Sequence, residues 1–237
     1  MKTLILLLIC LLALNVSAQD RPNILVLMFE DTSADNLSAF GNTVISTPNF
    51  DALAAKGIKF TNAYSNGPQC STARSTFIRG MYASTVGATW HRKDVMTPDE
   101  FYFPRTLQQN GYNTYLKGKH DFNTSINTWG PNGLNIFDDL WYKDCPADVP
   151  FYGQYNFFDT HMSKITDSRK PGERDNRTVY ASEVDDASIE PYLPPVEWVV
   201  DDYAYHLDKV KKFDAWLKTQ LATLEATGRA DNTIIFV

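Results

Sequence analysis

The chain has 237 residues and a formal net charge of −6, enough length for one substantial core and too acidic for a general nucleic-acid or polyanion binder. An anionic ligand would have to be met by a local basic pocket. Hydrophobic and charged fractions of 43% and 21% are those of an ordinary globular protein, and there is no internal repeat or low-complexity tract.

Residues 1–18 read as a secretory signal peptide. Lys2 gives the positive start, residues 4–14 are apolar, and Val16-Ser17-Ala18 is a small-residue cleavage site. The apolar run is short for a membrane span, and no later segment is long and apolar enough to be one. The expectation is a secreted or periplasmic protein with a mature portion of residues 19–237 and no membrane contact after cleavage. That portion keeps two cysteines, Cys70 and Cys145. A disulfide is the default for an exported chain; a chemical role for Cys70 would leave Cys145 without a partner.

Asn23-Ile24-Leu25-Val26-Leu27-Met28-Phe29 is an uninterrupted apolar run, as suits a parallel strand buried on both faces. It ends in Glu30 and Asp31, where open α/β sheets bind ligands, although two acids there serve equally as a solvated strand end or a helix cap. Residues 47–57 spell a helix: Thr47 caps, Pro48 takes the first turn, Gly57 closes, and Phe50, Leu53 and Ala54 face inward. Residues 58–63 are predicted to form a strand leading into a Gly67-Pro68 loop.

The residues after Cys70 form a short helix that stops at Gly80. Cys70 thus falls at a helix N-terminus, where free N–H groups and the dipole favour anions. Arg74 returns one turn later on nearly the same face. Farther on, His91, Arg92 and Lys93 make a basic turn that fits either an exposed loop or the rim of an anion site. A short helix stopping at Gly111 precedes a strand over residues 112–116 and then Lys117-Gly118-Lys119-His120-Asp121. Residues 129–149 are irregular. A strand over residues 150–158 ends in Asp159-Thr160-His161, so the pattern of polar groups at a strand's C-terminal end occurs three times.

Residues 167–190 are polar and read as a surface insertion of the kind that shapes specificity. Residues 200–227 form a long amphipathic helix whose Tyr203, Leu207, Val210, Phe213, Leu217, Leu221 and Leu224 stripe belongs to the core. Gly228 ends it, and residues 232–237 are an apolar strand.

Taken in order, these motifs resemble the formylglycine-dependent (type I) sulfatases of the alkaline phosphatase-like superfamily. The resemblance covers nearly all of the mature chain. Cys70-Ser71-Thr72-Ala73-Arg74 with Gly80 matches the family's Cys-x-Pro-x-Arg signature with its downstream Gly, except that Thr72 stands where the family has Pro or Ala. The Arg21-Pro22-Asn23-Ile24-Leu25 opening, the Thr47-Pro48-Asn49 helix and the strand ending at Gly118-Lys119 also match.

The resemblance implies an α/β fold with a mostly parallel central sheet flanked by helices. It also implies hydrolysis of sulfate esters or sulfamates, most naturally on a sulfated carbohydrate. A maturase would oxidise Cys70 to formylglycine. The metal would be Ca²⁺ on Glu30 and Asp31, with position 70 completing its contacts, and Asp31 is the surer ligand because the family's first acid is usually Asp. Arg74 and Lys119 would neutralise the sulfuryl oxygens, and His161 would contact sulfate or protonate the leaving oxygen. His91, Arg92 and His120 are candidate substrate contacts; His120-Asp121 replaces the family's Trp-His. The hydrate of the aldehyde would attack sulfur and its second hydroxyl would expel sulfate, a route closed to a plain thiol.

In the family the strand over 232–237 runs on into a segment carrying a further metal carboxylate, so the expectation is an N-terminal piece of low activity. A phosphodiester or phosphonate hydrolase of the same superfamily and a non-catalytic binder of sulfated glycans are the alternatives.

Overall fold

The structure is a computed structural model that describes residues 21–124, 136–138, 140–166, 172, 174–185 and 188–237. The expected signal peptide lies outside the described residues, as do parts of the expected irregular region and surface insertion.

Four strands form one parallel sheet: β1 (Asn23–Phe29), β2 (Asn113–Lys117), β3 (Phe151–Phe157) and β4 (Thr233–Phe236), in the order β2-β3-β1-β4. Ile24 pairs with Tyr152 on one side of β1 and with Ile234 on the other; Thr114 pairs with Tyr152 across β2 and β3. Because every pair is parallel, all four C-terminal ends point the same way. The expected α/β class and mostly parallel sheet are therefore what the chain forms, and polar residues at the ends of β1, β2 and β3 share one edge.

The helices are α1 (Pro48–Lys56), α2 (Cys70–Arg79), α3 (Ala83–Val86), α4 (Phe103–Gln109), α5 (Met162–Thr166) and α6 (Glu197–Ala226). One core holds Leu25, Leu27, Phe50, Leu207, Val210, Phe213, Leu217 and Leu224, so the stripe read on α6 packs against β1 and α1. The other holds Val26, Ile78, Tyr102, Leu116 and Tyr152. Alternate residues of β1 thus feed different cores, as a strand covered on both faces requires. Phe29, the last residue of β1, stacks on Phe213 with ring centroids 4.1 Å apart. That contact fixes the strand end that carries Glu30. Truncating Phe213, which is fully buried, should cost about 3–5 kcal/mol.

One expected element is corrected. Residues 58–63 form no strand: Ile58 is 82% and Phe60 68% exposed, and Tyr64 just beyond is 89% exposed. Alternating apolar residues give a segment the periodicity of a strand, but strand structure needs a hydrogen-bonded neighbour, and no described strand lies beside this one. Thr47 does occupy the cap position of α1, yet its hydroxyl bonds to Ser38 and Asp51 and not to the helix backbone.

Candidate active site

Cys70 is the first residue of α2. Gln69 is extended before it, and the first intrahelical bond runs from Ala73 N–H to the Gln69 carbonyl at 2.8 Å. The N–H groups of residues 70–72 therefore have no partner within the helix. Gly80 ends the helix with φ of 61°, a left-handed cap that glycine supplies at little cost. Gly67 is fixed by both conformation and space: its φ is 79°, and a Cβ there would sit 2.4 Å from the Thr72 methyl.

Glu30 is buried at the end of β1. Its Oε1 takes a hydrogen bond from Arg74 Nη2, and Lys119 Nζ reaches its Oε2 at 3.2 Å. Its N–H donates to Thr160 Oγ1 at 2.9 Å, which ties the ends of β1 and β3 together. Arg74 also donates from Nη1 to the Lys119 carbonyl at 2.8 Å and to Asn156 Oδ1 at 3.1 Å. Asn156 Nδ2 donates back to the Lys119 carbonyl at 2.7 Å. The turn that presents Lys119 depends on Gly118, which has φ of 93° and where a Cβ would lie 3.0 Å from the Asn156 carbonyl oxygen. One buried carboxylate thus faces two cations, and the pair of cations retains charge for an anion.

Cys70, Glu30 and His161 each offer a ligand atom within 4.8 Å of the others. Asp31 is exposed, in a left-handed conformation with φ of 43°, and its Oδ2 accepts from Met162 N–H at 2.8 Å. Glu30, Asp31, Cys70 and Arg74 line a cleft of about 900 Å³, with Tyr64 and Tyr82 also on its wall. The ligand atoms that meet are those of Glu30, Cys70 and His161, and the expected ligand Asp31 is not among them; a metal ion at Glu30 would compete with Arg74 and Lys119 for its oxygens.

The other expected residues, His91, Arg92 and His120, are not among those that line this cleft. Ser71 Oγ accepts from Arg92 N–H at 2.7 Å and lies 2.9 Å from His91 Nδ1, so this exposed turn leans on the start of α2. Asp121 Oδ2 lies 3.8 Å from both Arg92 Nε and Lys119 Nζ. His120 is exposed and its ring is 6.4 Å from that of Phe122. Cys145 is buried and Cys70 partly so, and both are free thiols; burial pushes the Cys145 thiol's pKa up, with Arg229 pulling the other way.

Sequence reasoning passed over Asn156, Ser163 and His206. Asn156 carried a signal: Tyr152, Gln154 and Asn156 alternate on β3, and a polar residue aimed at the α2 face has to find a partner there.

At the C-terminal edge of a parallel sheet, the chain thus gathers a buried carboxylate held by two cations, with Cys70 and His161 beside it. The sulfatase family profile matches residues 22–237, and the chain belongs to that family. It is 26% identical over 268 residues to the ulvan-active sulfatase of Formosa agariphila, covering 94% of this chain and 44% of the relative. It is 25% identical over 263 residues to human N-acetylgalactosamine-6-sulfatase, covering 92% and 49%. The chain thus spans about half the length of these curated relatives. Among solved structures, one in complex with its substrate D-glucosamine-2-N,6-O-disulfate superposes with a TM-score of 0.62 at 18% identity, covering 91% of this chain and 64% of that one. The phosphonate monoester hydrolase of Agrobacterium radiobacter gives 0.66 at 16% identity, covering 91% and 61%. Both show the fold.

Proposed function

We propose that this chain carries the nucleophile half of a sulfatase site acting on a sulfated carbohydrate, with Cys70 as the precursor of the reacting group. The observation that carries the reading is the meeting of Cys70, Glu30 and His161 within 4.8 Å at the sheet edge, with Arg74 and Lys119 held on Glu30 behind them. Calcium on the Glu30–Asp31 carboxylates would supply positive charge, and formylglycine made from Cys70 by a maturase would supply an oxygen nucleophile that a thiol is not.

The chain's own side chains do the rest. Arg74 and Lys119 neutralise the sulfuryl oxygens, with Asn156 holding the guanidinium in plane. His161 stands on the leaving-group side as a proton donor. His91, Arg92 and His120, exposed outside the cleft, would meet the rest of a larger ligand, and the exposed rings of Tyr64 and Tyr82 give sugar faces something apolar to lie on. The relatives named for ulvan and for N-acetylgalactosamine-6-sulfate support a glycan as substrate. The pattern of residues 1–18 supports export to the periplasm or beyond. Among the described residues no helix is long and apolar enough to cross a membrane.

The test is peptide mass spectrometry of Cys70 after co-expression with a formylglycine-generating enzyme. Conversion lowers the mass by about 18 Da, whereas the competing thiol oxidations raise it. Parallel calorimetric titrations with a sulfated and a phosphorylated monosaccharide then separate a sulfate site from a phosphate one. An unconverted Cys70 together with equal binding of the two sugars would sink the proposal.

A further inference from the structure

His161 immediately precedes α5, and the first residues of that short helix make contacts that the helix does not need. Ser163 N–H donates to His161 Nδ1 at 3.2 Å, and Ser163 Oγ lies 2.9 Å from the same nitrogen. A backbone N–H can only donate. Nδ1 must therefore present its lone pair, and in the neutral ring the hydrogen is then on Nε2.

The ring is also fixed in plane. Phe158 stacks on it with centroids 4.7 Å apart and an interplanar angle of 21°. Its neighbours are anchored as well: Thr160 is fully buried with Oγ1 bonded to Glu30 N–H, and Met162 N–H is bonded to Asp31.

We propose that Ser163 is a positioning residue for His161. Its N–H and hydroxyl occupy Nδ1 and hold the imidazole as the Nε2–H tautomer, leaving Nε2 as the ring nitrogen that serves the Cys70–Glu30 cluster. The proximity of Glu30, Cys70 and His161 allows two uses of the histidine. A cation ligand needs a bare ring nitrogen facing the cluster; a hydrogen-bond donor to an ester oxygen needs a protonated one. Ser163 selects the second. What the donated hydrogen is for rests on the sulfatase reading, but the tautomer does not, so the two can fail separately.

The experiment is long-range ¹H–¹⁵N correlation of the ¹⁵N-labelled full chain at pH 8, with the His161 signals assigned by their loss in His161→Gln. The expected spectrum has an unprotonated Nδ1 and a protonated Nε2, with and without calcium. Ser163→Ala keeps the backbone donor and should keep this tautomer. Ser163→Pro removes both donors at a first-turn position whose N–H the helix itself does not use. The tautomer preference should then fall by about tenfold, the worth of one hydrogen bond.

A through-hydrogen-bond ¹⁵N–¹⁵N coupling between Ser163 N and His161 Nδ1 in the unsubstituted chain reads the same contact without relying on the proline variant's fold. A protonated Nδ1, an absent coupling, or a folded Ser163→Pro with the tautomer unchanged would each overturn the proposal. These outcomes are independent of Cys70 conversion and of sulfate binding.

Discussion

Helix α2 buries two arginines, one in its middle and one at its C-terminal end, and they do opposite things. Arg79, at the C-terminal end, donates from Nε to Thr97 Oγ1 at 3.1 Å, from Nη1 to the Phe122 carbonyl at 2.9 Å and from Nη2 to the Tyr102 hydroxyl at 2.7 Å. The Tyr102 ring lies 4.5 Å from its guanidinium carbon. No carboxylate is paired with it among the described residues, and burial lowers its pKa, with Tyr102 opposing. Arg74, in the middle of the helix, lies on a buried carboxylate beside the cleft. Burial does not distinguish the two. The partners do: neutral oxygens from three surrounding segments make an anchor, whereas Arg74 shares a carboxylate with Lys119 at the sheet edge where the proposed function puts an anion.

The largest expected effect comes from the anchor. Arg79→Ala leaves the Phe122 carbonyl and the Tyr102 hydroxyl without their charged donor, and it should cost about 4 kcal/mol, read as a lower midpoint in urea unfolding. Sulfate binding by the folded fraction should not change. A loss of binding at unaltered stability would erase the distinction between the two arginines.

Arg74→Met should do the reverse in proportion. Glu30 keeps Lys119 at 3.2 Å, so the stability loss should be smaller, about 2 kcal/mol, less than for a buried charge left alone. Affinity for a sulfated monosaccharide should fall by about tenfold or more, the worth of a charge-assisted hydrogen bond, as measured by calorimetry. Arg74→Lys should recover stability better than affinity, because an ammonium cannot reach Glu30, Asn156 and the Lys119 carbonyl in one plane.

A third prediction concerns α6, across the sheet. Burial pushes the pKa of His206 down to about 4, with Asp31 pulling it up. In the unfolded chain it returns to about 6.5. Between those values the unfolded state binds the extra proton, so stability rises with pH there. Its neutral form contributes fully above about pH 6.5 and that contribution is lost as the pH falls towards 4, with no further loss from this group below. Chemical denaturation at pH 7 and pH 4 should differ by about 2 kcal/mol through this group, after allowance for its partial exposure, and His206→Gln should remove that share of the difference. A variant with the unsubstituted protein's full pH dependence would show that the acid sensitivity originates elsewhere.

These contrasts also explain what was legible in the sequence. The strands β1, β2 and β3 were legible because continuous apolar runs and their polar ends are local signals, and the α2 helix because its loop and its Gly80 stop are local too. The segment over 58–63 was misread because a strand is a property of a pair, and periodicity records only one member. Cys70 and Arg74 were legible by spacing on one helix. The Glu30 contacts were not, since they join residues 44 and 89 positions apart. Ser163 went unread because the donor that fixes the tautomer is its backbone N–H, which every residue but proline carries.

The smallest expected effect concerns the motif's departure at position 72. Thr72 is the third residue of α2, so its N–H lies in the unpartnered first turn, where proline removes nothing the helix uses. Its hydroxyl is buried and has no hydrogen-bond partner among the described residues, which makes it a cost with no compensating contact there. Thr72→Ala and Thr72→Pro should therefore change stability by less than about 0.5 kcal/mol, the methyl contact with the Gly67 turn offsetting the relief of the hydroxyl. If the family's Pro or Ala at this place serves the maturase and not the fold, both variants should raise the converted fraction of Cys70 on co-expression while leaving the melting curve where it was. An equal converted fraction in all three chains would mean that Thr72 is already acceptable to the maturase. A large shift in melting with no change in conversion would mean that position 72 belongs with Arg79, among the residues that hold the helix, and not with Arg74.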